Sequence, residues 1–358
     1  MASFEGFRIL WAEHPKDVVE WIALWDRWPH HEVAAHPAYV SLFVEPDDRA
    51  ACAVLDLPNG GILFPIIMRS LGREKWATNE QNIWDVTSPY GYGGPFCWGN
   101  GFNEQKVFWS GLKQWAANER IISLFARLSL FPEQLALFDG DAIDNAPNVI
   151  RWLDLSPEAL WMDYEHKVRK NVNHAKREGI RIEIDQKATR LNDFLSIYYD
   201  TMDRRRAATS YYFDRGFFDR LVNDLYGQFV FFHAFHGKTI ISTELALVST
   251  DYIYSFLGGT RAEAFAFRPN DLLKHEIILW GRRESKKAFV LGGGYGGPDG
   301  IFRYKLSFAP HGQVPFRTGH IIFNPEAYNR LVSKRRLWEA ARGCEWNPRP
   351  EFFPAYRS

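Results

Sequence analysis

The sequence has few cysteines, no net charge and no long apolar run, and each of these absences excludes a class of protein. Its 358 residues include only three cysteines, which lie far apart. They provide neither a disulfide framework nor the paired spacing of a zinc site, so we expect a metal-free protein of the reducing cytosol. Lysine plus arginine equals aspartate plus glutamate, at 43 residues each. Without a net positive charge the chain attracts no DNA or RNA at long range, so any anion-binding surface must be local.

Membrane insertion and secretion are disfavoured as well. No run in the sequence approaches the roughly 18 apolar residues that a membrane-spanning helix requires. The first residues carry Glu5, Arg8 and Glu13 and lack the apolar centre of a signal peptide. We therefore expect a cytoplasmic protein without a membrane span.

Aromatic residues are abundant, with 28 Phe, 15 Tyr and 14 Trp, so a large core is easily supplied. At roughly 150 residues per domain, the length predicts two domains. We place the boundary at Ser156, where Ser-Pro-Glu is typical of a helix start. The predicted domains are residues 1–155 and 156–320, and residues 321–358 are predicted to form a helix and tail that pack back on the first domain.

Strand and helix signals alternate along the chain. Two apolar runs flank Pro58-Asn59-Gly60-Gly61, a strong hairpin signal. In the second domain we predict a long helix from Ser156 to Arg177, then a three-strand meander over residues 229–257, a helix at 270–283 and a strand at 288–291. This order argues against a doubly wound parallel sheet and resembles the acyltransferase fold called GNAT. The predicted class is α/β (α+β), with tandem GNAT-like domains, mixed and mainly antiparallel sheets, flanking helices and no coiled-coil arm.

The most basic stretch of the second domain lies in that long helix. Lys167, Lys170, His174 and Arg177 are spaced three, four and three residues apart, so they share one helical face. Such a face is either solvated or a contact surface for phosphate or RNA, and composition alone favours the solvated face.

Three adjacent arginines, Arg204, Arg205 and Arg206, end another predicted helix. Arginine suits bidentate phosphate binding, and neighbouring positions splay around the helix, so at least one can point inward. Contact with water and helix carbonyls explains them equally well.

Two apparent motifs are rejected. Gly292, Gly294 and Gly297 fit GxGxxG, but Pro298 and Asp299 follow where the helix of a dinucleotide site should begin. The histidines of His31-Glu32-Val-Ala-Ala-His36 are five residues apart, a rotation of about 500°, so they would not share a helical face for a metal. We predict no metal site.

Several motifs, in their shared order, resemble the FemAB-like branch of the GNAT superfamily. They are Y-x-x-K-x-R-K-N-x-x-x-A-x-x-x-G from Tyr164, T-M-x-R ending at Arg204, L-G-G-T ending at Thr260, R-P-N-D-L-L from Arg268, and F-R-Y-K ending at Lys305. The S-P-Y-G-Y-G-G-P sequence at residues 88–95 is similar to that of members encoded with polysaccharide and natural-product pathways.

The resemblance implies an active cleft in or beside the second domain. Cell-wall members of the family transfer an amino acid from aminoacyl-tRNA to an amine of a peptidoglycan precursor. Lys305 matches the lysine thought to stabilise that reaction, and Arg204 matches the arginine that grips acceptor phosphates. Tyr254 falls on the strand that borders the substrate channel.

Further site residues follow from residue type and position. Acyl transfer to an amine passes through an oxyanion, and Lys305 is our choice of donor to it. If residues 302–308 form a strand, Lys305 faces away from Tyr304 and Leu306, toward a cleft or solvent. Glu244 stands alone among apolar residues of a predicted central strand, so it is either paired structurally or tuned as a base. The predicted substrate-binding residues are Arg204, Arg205, Tyr254, Arg268 and Asn270, and the predicted nucleic-acid-binding residues are Lys167, Lys170 and Arg177.

The chain also departs from the family pattern. His36-Pro37-Ala38-Tyr39 has no lysine where cell-wall members carry a basic residue, which puts a muropeptide phosphate acceptor in doubt. The helical arm of several members is absent, and so is the glycine-containing pyrophosphate loop of acetyl-CoA enzymes.

Three functions therefore remain open. The first is an aminoacyl-tRNA-dependent transferase in cell-envelope or natural-product biosynthesis. The second is an N-acyltransferase that uses acyl-CoA, or an acyl carrier, on a sugar or small amine. The third is a non-catalytic interaction protein that retains the fold. We expect no tightly bound cofactor, because the acyl donor is a co-substrate, and we expect a small-molecule or envelope-precursor amine as acceptor. The sequence does not indicate an oligomeric state.

Overall fold

The computed structural model describes residues 6–80, 82–294 and 299–358, so Gly297 and Pro298 of the rejected glycine motif lie outside the described residues. The chain divides into two compact units. Unit 1 comprises Met1–Pro29, Ala34–Asn145 and Phe316–Ser358, and unit 2 comprises His30–Val33 and Ala146–Pro315. The boundaries drawn from the sequence, at 155 and 320, lie near these divisions but not at them.

Strands and helices alternate throughout the described residues. The strands are β1 (Phe7–Trp11), β2 (Arg49–Leu57), β3 (Gly60–Ser70), β4 (Trp84–Thr87), β5 (Phe96–Gly99), β6 (Ile121–Arg127), β7 (Asp141–Trp152), β8 (Arg181–Asp185), β9 (Phe229–His236), β10 (Thr239–Val248), β11 (Tyr252–Thr260), β12 (Ala288–Gly292) and β13 (Gln313–Ile322). The helices are α1 (Pro15–Arg27), α2 (Pro37–Ser41), α3 (Gln105–Asn118), α4 (Pro157–Asp163), α5 (His166–Arg177), α6 (Leu191–Arg205), α7 (Arg215–Asp224), α8 (Pro269–Arg283), α9 (Gly300–Leu306) and α10 (Pro325–Ala340).

The sheet of unit 1 has the order β1-β2-β3-β4-β6-β13, and β5 pairs separately with β3. Its neighbours are antiparallel except for β4 and β6, which are parallel. The predicted hairpin joins β2 and β3, where Leu57 pairs with Gly60 and Asn59 takes the positive φ of 59° that such turns require. The core packs this sheet against α3 through residues such as Phe64, Phe108 and Leu112.

The sheet of unit 2 repeats that plan in the order β8-β9-β10-β11-β12-β7. Its neighbours are again antiparallel, except for the parallel pair β11 and β12. The main core of unit 2 packs one face of the sheet against α5 and α8 through residues such as Val172, Ile277 and Phe289. The two units thus repeat one strand-and-helix order, which confirms the predicted mixed α/β class of GNAT type.

The Gly258-Gly259 pair of the L-G-G-T motif has a packing explanation. A side chain at Gly259 would place its Cβ 2.3 Å from Oγ1 of Thr201 and 2.8 Å from the carbonyl oxygen of Ile197, both on α6. A glycine at this position therefore lets α6 lie directly on β11.

One predicted element is wrong, and one condition considered from the sequence is not met. The single helix from Ser156 to Arg177 is broken into α4 and α5, because the Glu165 N–H donates to the carbonyl of Ser307 instead of continuing the helix. The stretch around Lys305 is the helix α9 and not a strand. The Asp299 carboxylate accepts from the Phe302 N–H at 2.8 Å and caps the first turn of α9, a signal that the glycine-rich context obscured.

No helix among the described residues is long and apolar enough to cross a bilayer.

Candidate active site in unit 2

In unit 2, two parallel strands pair over only part of their length. Among the described residues, β11 pairs with β12 from Tyr252 to Tyr254, although β11 continues to Thr260. Residues 255–260 are accordingly only partly buried, whereas the preceding residues of the strand are buried. Backbone left unpaired by the neighbouring strand is available to a ligand, so this end of β11 is the natural place to look for a substrate.

A buried ion pair lies where the strands part. Lys274 of α8 donates from Nζ to Oε1 of Glu244 at 2.5 Å and to Oγ of Ser255 at 2.9 Å. The two charged side chains are only 7% and 6% exposed. Burying two charges costs several kcal/mol of desolvation per ion, which their attraction only partly offsets. A buried pair of this kind is therefore a candidate for function. Glu244 is paired with Lys274 in this structure, and its role as a base stays a prediction.

Lys305 lies beside this pair. Its Nζ donates to the carbonyl oxygen of Gly293 at 2.7 Å, directly after β12 ends. Burial, and then the positive charge of Lys274, lower the pKa of Lys305 to about 8, although Glu244 and Asp299 act in the opposite direction. At neutral pH the group is therefore mainly an ammonium, which can stabilise an oxyanion.

Tyr304 supplies a second polar group next to Lys305. Its hydroxyl oxygen accepts from Nδ2 of Asn270 at 2.9 Å. Burial, together with the charges of Asp271 and Glu244, raises the pKa of this phenol well above its usual range. The phenol therefore stays protonated at neutral pH and can donate its O–H to a substrate oxygen.

The start of α8 is poorly suited to binding an anion. Pro269 occupies the first helical position and has no N–H to donate. Asp271 is buried in the first turn and accepts from Nδ2 of Asn171 at 3.1 Å. Burial raises the pKa of Asp271. An acidic side chain in the first turn disfavours a second anion at this helix N-terminus.

The remaining predicted substrate-binding residues lie apart from this cluster. Tyr254 is buried and donates to Oε2 of Glu32 at 2.8 Å, and strand alternation points it away from Ser255. Arg204 is exposed at the end of α6, donates to the carbonyl of Thr260 at 3.0 Å and lies 5.1 Å from the ring centre of Phe265. Arg205 and Arg268 are exposed. Of the predicted catalytic and substrate-binding residues, the structure brings together Lys305, Glu244 and Asn270.

The basic helix α5 borders a separate surface cavity. This α5 pocket has a volume of about 430 Å³ and is lined by Trp161, His166, Arg169, Lys170, Asn173 and Arg177. Two of the three predicted nucleic-acid-binding residues, Lys170 and Arg177, therefore line one pocket. The third does not, because Lys167 points toward Glu165, with 3.6 Å between Nζ and Oε2.

Sequence reasoning missed several members of the central cluster, above all Lys274, Asp271 and Tyr304. A usable signal was present in α8, where Asp271 and Lys274 are three residues apart and flank Leu272 and Leu273. That spacing places both on one helical face, and a charged stripe on a buried helix needs partners. Lys274 directly follows the R-P-N-D-L-L motif, and Tyr304 belongs to the F-R-Y-K motif. Neither motif reveals that Lys274 pairs with Glu244.

Comparison with known proteins identifies an acyltransferase domain in this part of the chain. Residues 163–306 match the model of the acetyltransferase (GNAT) domain, so every member of the central cluster lies inside the matched region. A comparison of the sequence with curated proteins gives no significant match.

Solved structures share the fold over nearly the whole chain. FemX is 13% identical, with a TM-score of 0.65, over 87% of this chain and 98% of its own. The C-terminal domain of a putative lysylphosphatidylglycerol synthetase from Agrobacterium fabrum is 12% identical, with a TM-score of 0.53, over 91% of this chain and 96% of its own. L-PGS from Bacillus licheniformis is 12% identical, with a TM-score of 0.52, over 90% and 96%. These findings confirm the predicted resemblance to the FemAB-like branch of the GNAT superfamily at the level of the fold.

Proposed function

We propose that this protein, whose residues 163–306 form a GNAT acyltransferase domain, transfers an aminoacyl group from aminoacyl-tRNA to an amine acceptor. The observation that carries the proposal is the half-buried ammonium of Lys305 at the point where β11 and β12 separate. The protonated phenol of Tyr304 and the ammonium of Lys305 both interact electrostatically with Glu244, and in this proposal both donate to the developing oxyanion. We place the protein in the cytoplasm, with a small-molecule or envelope-precursor amine as acceptor.

The chemistry requires no covalent enzyme intermediate. The neutral acceptor amine attacks the carbonyl carbon of the donor ester, and a C–N bond forms as the carbonyl oxygen becomes an oxyanion. Lys305 and Tyr304 stabilise that oxyanion. The C–O bond of the ester then breaks, and the 3′-hydroxyl of the tRNA leaves with a proton while the nitrogen loses one. In this scheme the pair of Lys274 and Glu244 positions Lys305 and sets the charge around it.

The start of α8 favours aminoacyl-tRNA over acyl-CoA as the donor. GNAT enzymes that use acetyl-CoA hold its pyrophosphate with backbone N–H groups at a helix N-terminus. Here Pro269 removes one of those donors, and Asp271 places a carboxyl group in the first turn. Two of the similar structures are moreover titled as a putative lysylphosphatidylglycerol synthetase and as L-PGS. Acyl-thioester transfer to a sugar or small amine remains the second candidate, favoured by the absence of net charge on the chain.

The test is a donor comparison in single turnover. The protein is incubated with a pool of labelled aminoacyl-tRNAs, or with labelled acetyl-CoA, and a panel of amines and amino sugars. We expect an amide product from the aminoacyl-tRNA pool, and with Lys305→Ala we expect product at a rate lower by about two to three orders of magnitude. The exposed Lys187→Ala variant is the matched control and should retain activity. If product forms with acetyl-CoA and not with aminoacyl-tRNA, acyl-CoA is the donor instead. If no product forms with either donor, the proposed function is contradicted.

A further inference from the structure

The α5 pocket is built from one face of a helix. Because a helix turns by about 100° per residue, the five pocket residues of α5 fall within an arc of about 100°. They are His166, Arg169, Lys170, Asn173 and Arg177, and Trp161 of α4 supplies another wall. The volume of about 430 Å³ is in the range of roughly 300–1,000 Å³ found for small-molecule sites.

The charge in this pocket is of one sign. α5 contains five Lys and Arg residues and no Asp or Glu, and none of the six lining residues is acidic. Two basic residues near the pocket residues in the sequence are paired, Lys167 with Glu165 and Arg181 with Glu183. Within residues 6–80, 82–294 and 299–358, Lys170 and Arg177 have no such carboxylate partner. In a chain with no net charge this is a local concentration of positive charge, and it favours an anion.

Two of the lining side chains are held in place by the fold. Nη1 of Arg169 donates to the carbonyl oxygens of Met162 at 2.8 Å and Tyr164 at 2.5 Å. The Trp161 ring packs edge-to-face at 5.2 Å from His275 and 6.0 Å from Tyr164, measured between ring centres. A fixed guanidinium binds phosphate well, and a fixed indole is a platform on which a nucleobase can stack.

Contacts also connect the pocket to the central cluster. Trp161 packs on His275, which follows Lys274 in α8. From the same helix α5, Asn171 donates to Asp271, whose neighbour Asn270 bonds to Tyr304. A ligand in the pocket therefore contacts elements that position the proposed catalytic groups.

We infer that the α5 pocket binds the nucleotide phosphates of the acyl donor, with a nucleobase against Trp161. The inference rests on the proposed function, because it gives the phosphates of the acyl donor a binding place. The start of α8 does not offer such a place. The ligand chemistry is a phosphorylated nucleoside. It has two possible sources, the single-stranded 3′ end of an aminoacyl-tRNA and the adenosine end of CoA, and the structure favours the first.

The test measures binding and does not depend on turnover. The probes are a fluorescent RNA hairpin with a single-stranded 3′-CCA end, followed by anisotropy, and CoA, followed by calorimetry. For Lys170→Ala/Arg177→Ala we expect RNA affinity at low salt to fall about 10-fold or more. The slope of log affinity against log salt should fall by about 1.4, since each single-strand phosphate contributes about 0.7. The charge-matched control is Lys238→Ala/Arg283→Ala, two exposed positions of unit 2 outside the pocket, which should lose much less affinity.

Trp161→Leu separates stacking from charge. This variant keeps an apolar side chain against His275, and we expect about 5-fold weaker RNA binding with an unchanged salt slope. If the lysine–arginine variant loses CoA binding and not RNA binding, the pocket takes nucleotide phosphate from CoA. If its affinities for both probes equal those of the control, the inference is overturned.

The binding result is distinguishable from a failure of the proposed function. If Lys170→Ala/Arg177→Ala transfers the aminoacyl group with an unchanged rate and KM, the proposed function stands and the inference about the pocket is contradicted. If the wild-type protein binds RNA through the pocket but forms no amide, the inference about the pocket stands and the proposed function is contradicted.

Discussion

Unit 1 and unit 2 share one order of strands, so α3 of unit 1 has the same place in the topology as α8 of unit 2. In the chain, α3 lies between β4 and β6, and α8 lies between β11 and β12. Each of these two pairs of strands is the parallel pair of its sheet. The residues that α3 buries are apolar or glycine, among them Phe108, Trp109 and Leu112. α8 buries Asp271, Lys274 and His275 as well as its apolar residues. Since the same topology forms without these groups in unit 1, the fold itself does not require them.

Unit 1 does contain a buried carboxylate, and its surroundings show what a structural ion pair looks like here. Asp85 is fully buried and accepts from Nε of Arg69 at 2.8 Å and from Nε of Arg357 at 2.6 Å. Glu244 in unit 2 has one cation, Lys274, which is the only buried lysine among the described residues. The carboxylate with two guanidinium partners holds the C-terminal segment through Arg357, whereas the pair in unit 2 is buried where β11 and β12 separate.

The largest expected difference between the two units is in stability, and the variant that reveals it is Lys274→Met. It leaves the carboxylate of Glu244 buried without its cation and should lower the free energy of unfolding by about 3–5 kcal/mol. The counterpart in unit 1 is Arg69→Met, which should cost clearly less, because Asp85 keeps Arg357. Urea unfolding followed by circular dichroism measures both.

A double variant shows whether the pair is needed for stability or for activity. Replacing both charges, as in Lys274→Met/Glu244→Leu, should restore stability to near that of the wild type, since apolar substitutes of a buried pair are often neutral or stabilising. Acyl transfer should remain impaired. Full activity in the stable double variant would contradict a positioning role for the pair.

The second effect concerns Lys305. Lys305→Ala should lower the single-turnover rate by about two to three orders of magnitude, because a preorganised donor to the oxyanion is lost. Lys305→Arg should restore little, because a planar guanidinium places its charge differently. The matched change in unit 1 is Lys113→Ala, an exposed lysine that pairs with Asp139 at 2.7 Å, and it should leave the rate unchanged. A well-folded Lys305→Ala variant with the wild-type rate would refute the assignment.

Much of the fold follows from local signals. The hairpin at Asn59 and the meander of β9, β10 and β11 are set by turn residues and apolar runs close in the sequence. The stretch at Lys305 shows where this fails. Its helix depends on a cap from Asp299 that follows a glycine-rich segment, and a short helix with aromatic residues has weak helical periodicity.

The candidate site was harder to derive than the fold. Lys305 and Glu244 were singled out by family motif and by an isolated charge in an apolar strand. The partner of Glu244 could not be derived, because Lys274 lies 30 residues away and meets it only through packing of α8 on the sheet. The face of α5 was resolved only in part. Lys170 lines the pocket and Lys167 does not, although both belong to the basic face that the sequence predicts.

The smallest effect concerns the pH dependence of Lys305. Since its ammonium must be protonated to stabilise the oxyanion, and its pKa is about 8, the contribution of Lys305 to the rate should be complete at pH 6–7 and be lost as pH rises through about 8. Lys274 lowers the pKa of Lys305 more than Glu244 raises it. Removal of both charges in Lys274→Met/Glu244→Gln should therefore move the titration of Lys305 to higher pH. The titration can be followed without turnover, by the pH dependence of labelling with an amine-reactive reagent, with Lys305→Ala as the blank. A titration unchanged in the double variant, or one near 10.5 in the wild type, would show that the cluster does not control the charge of Lys305.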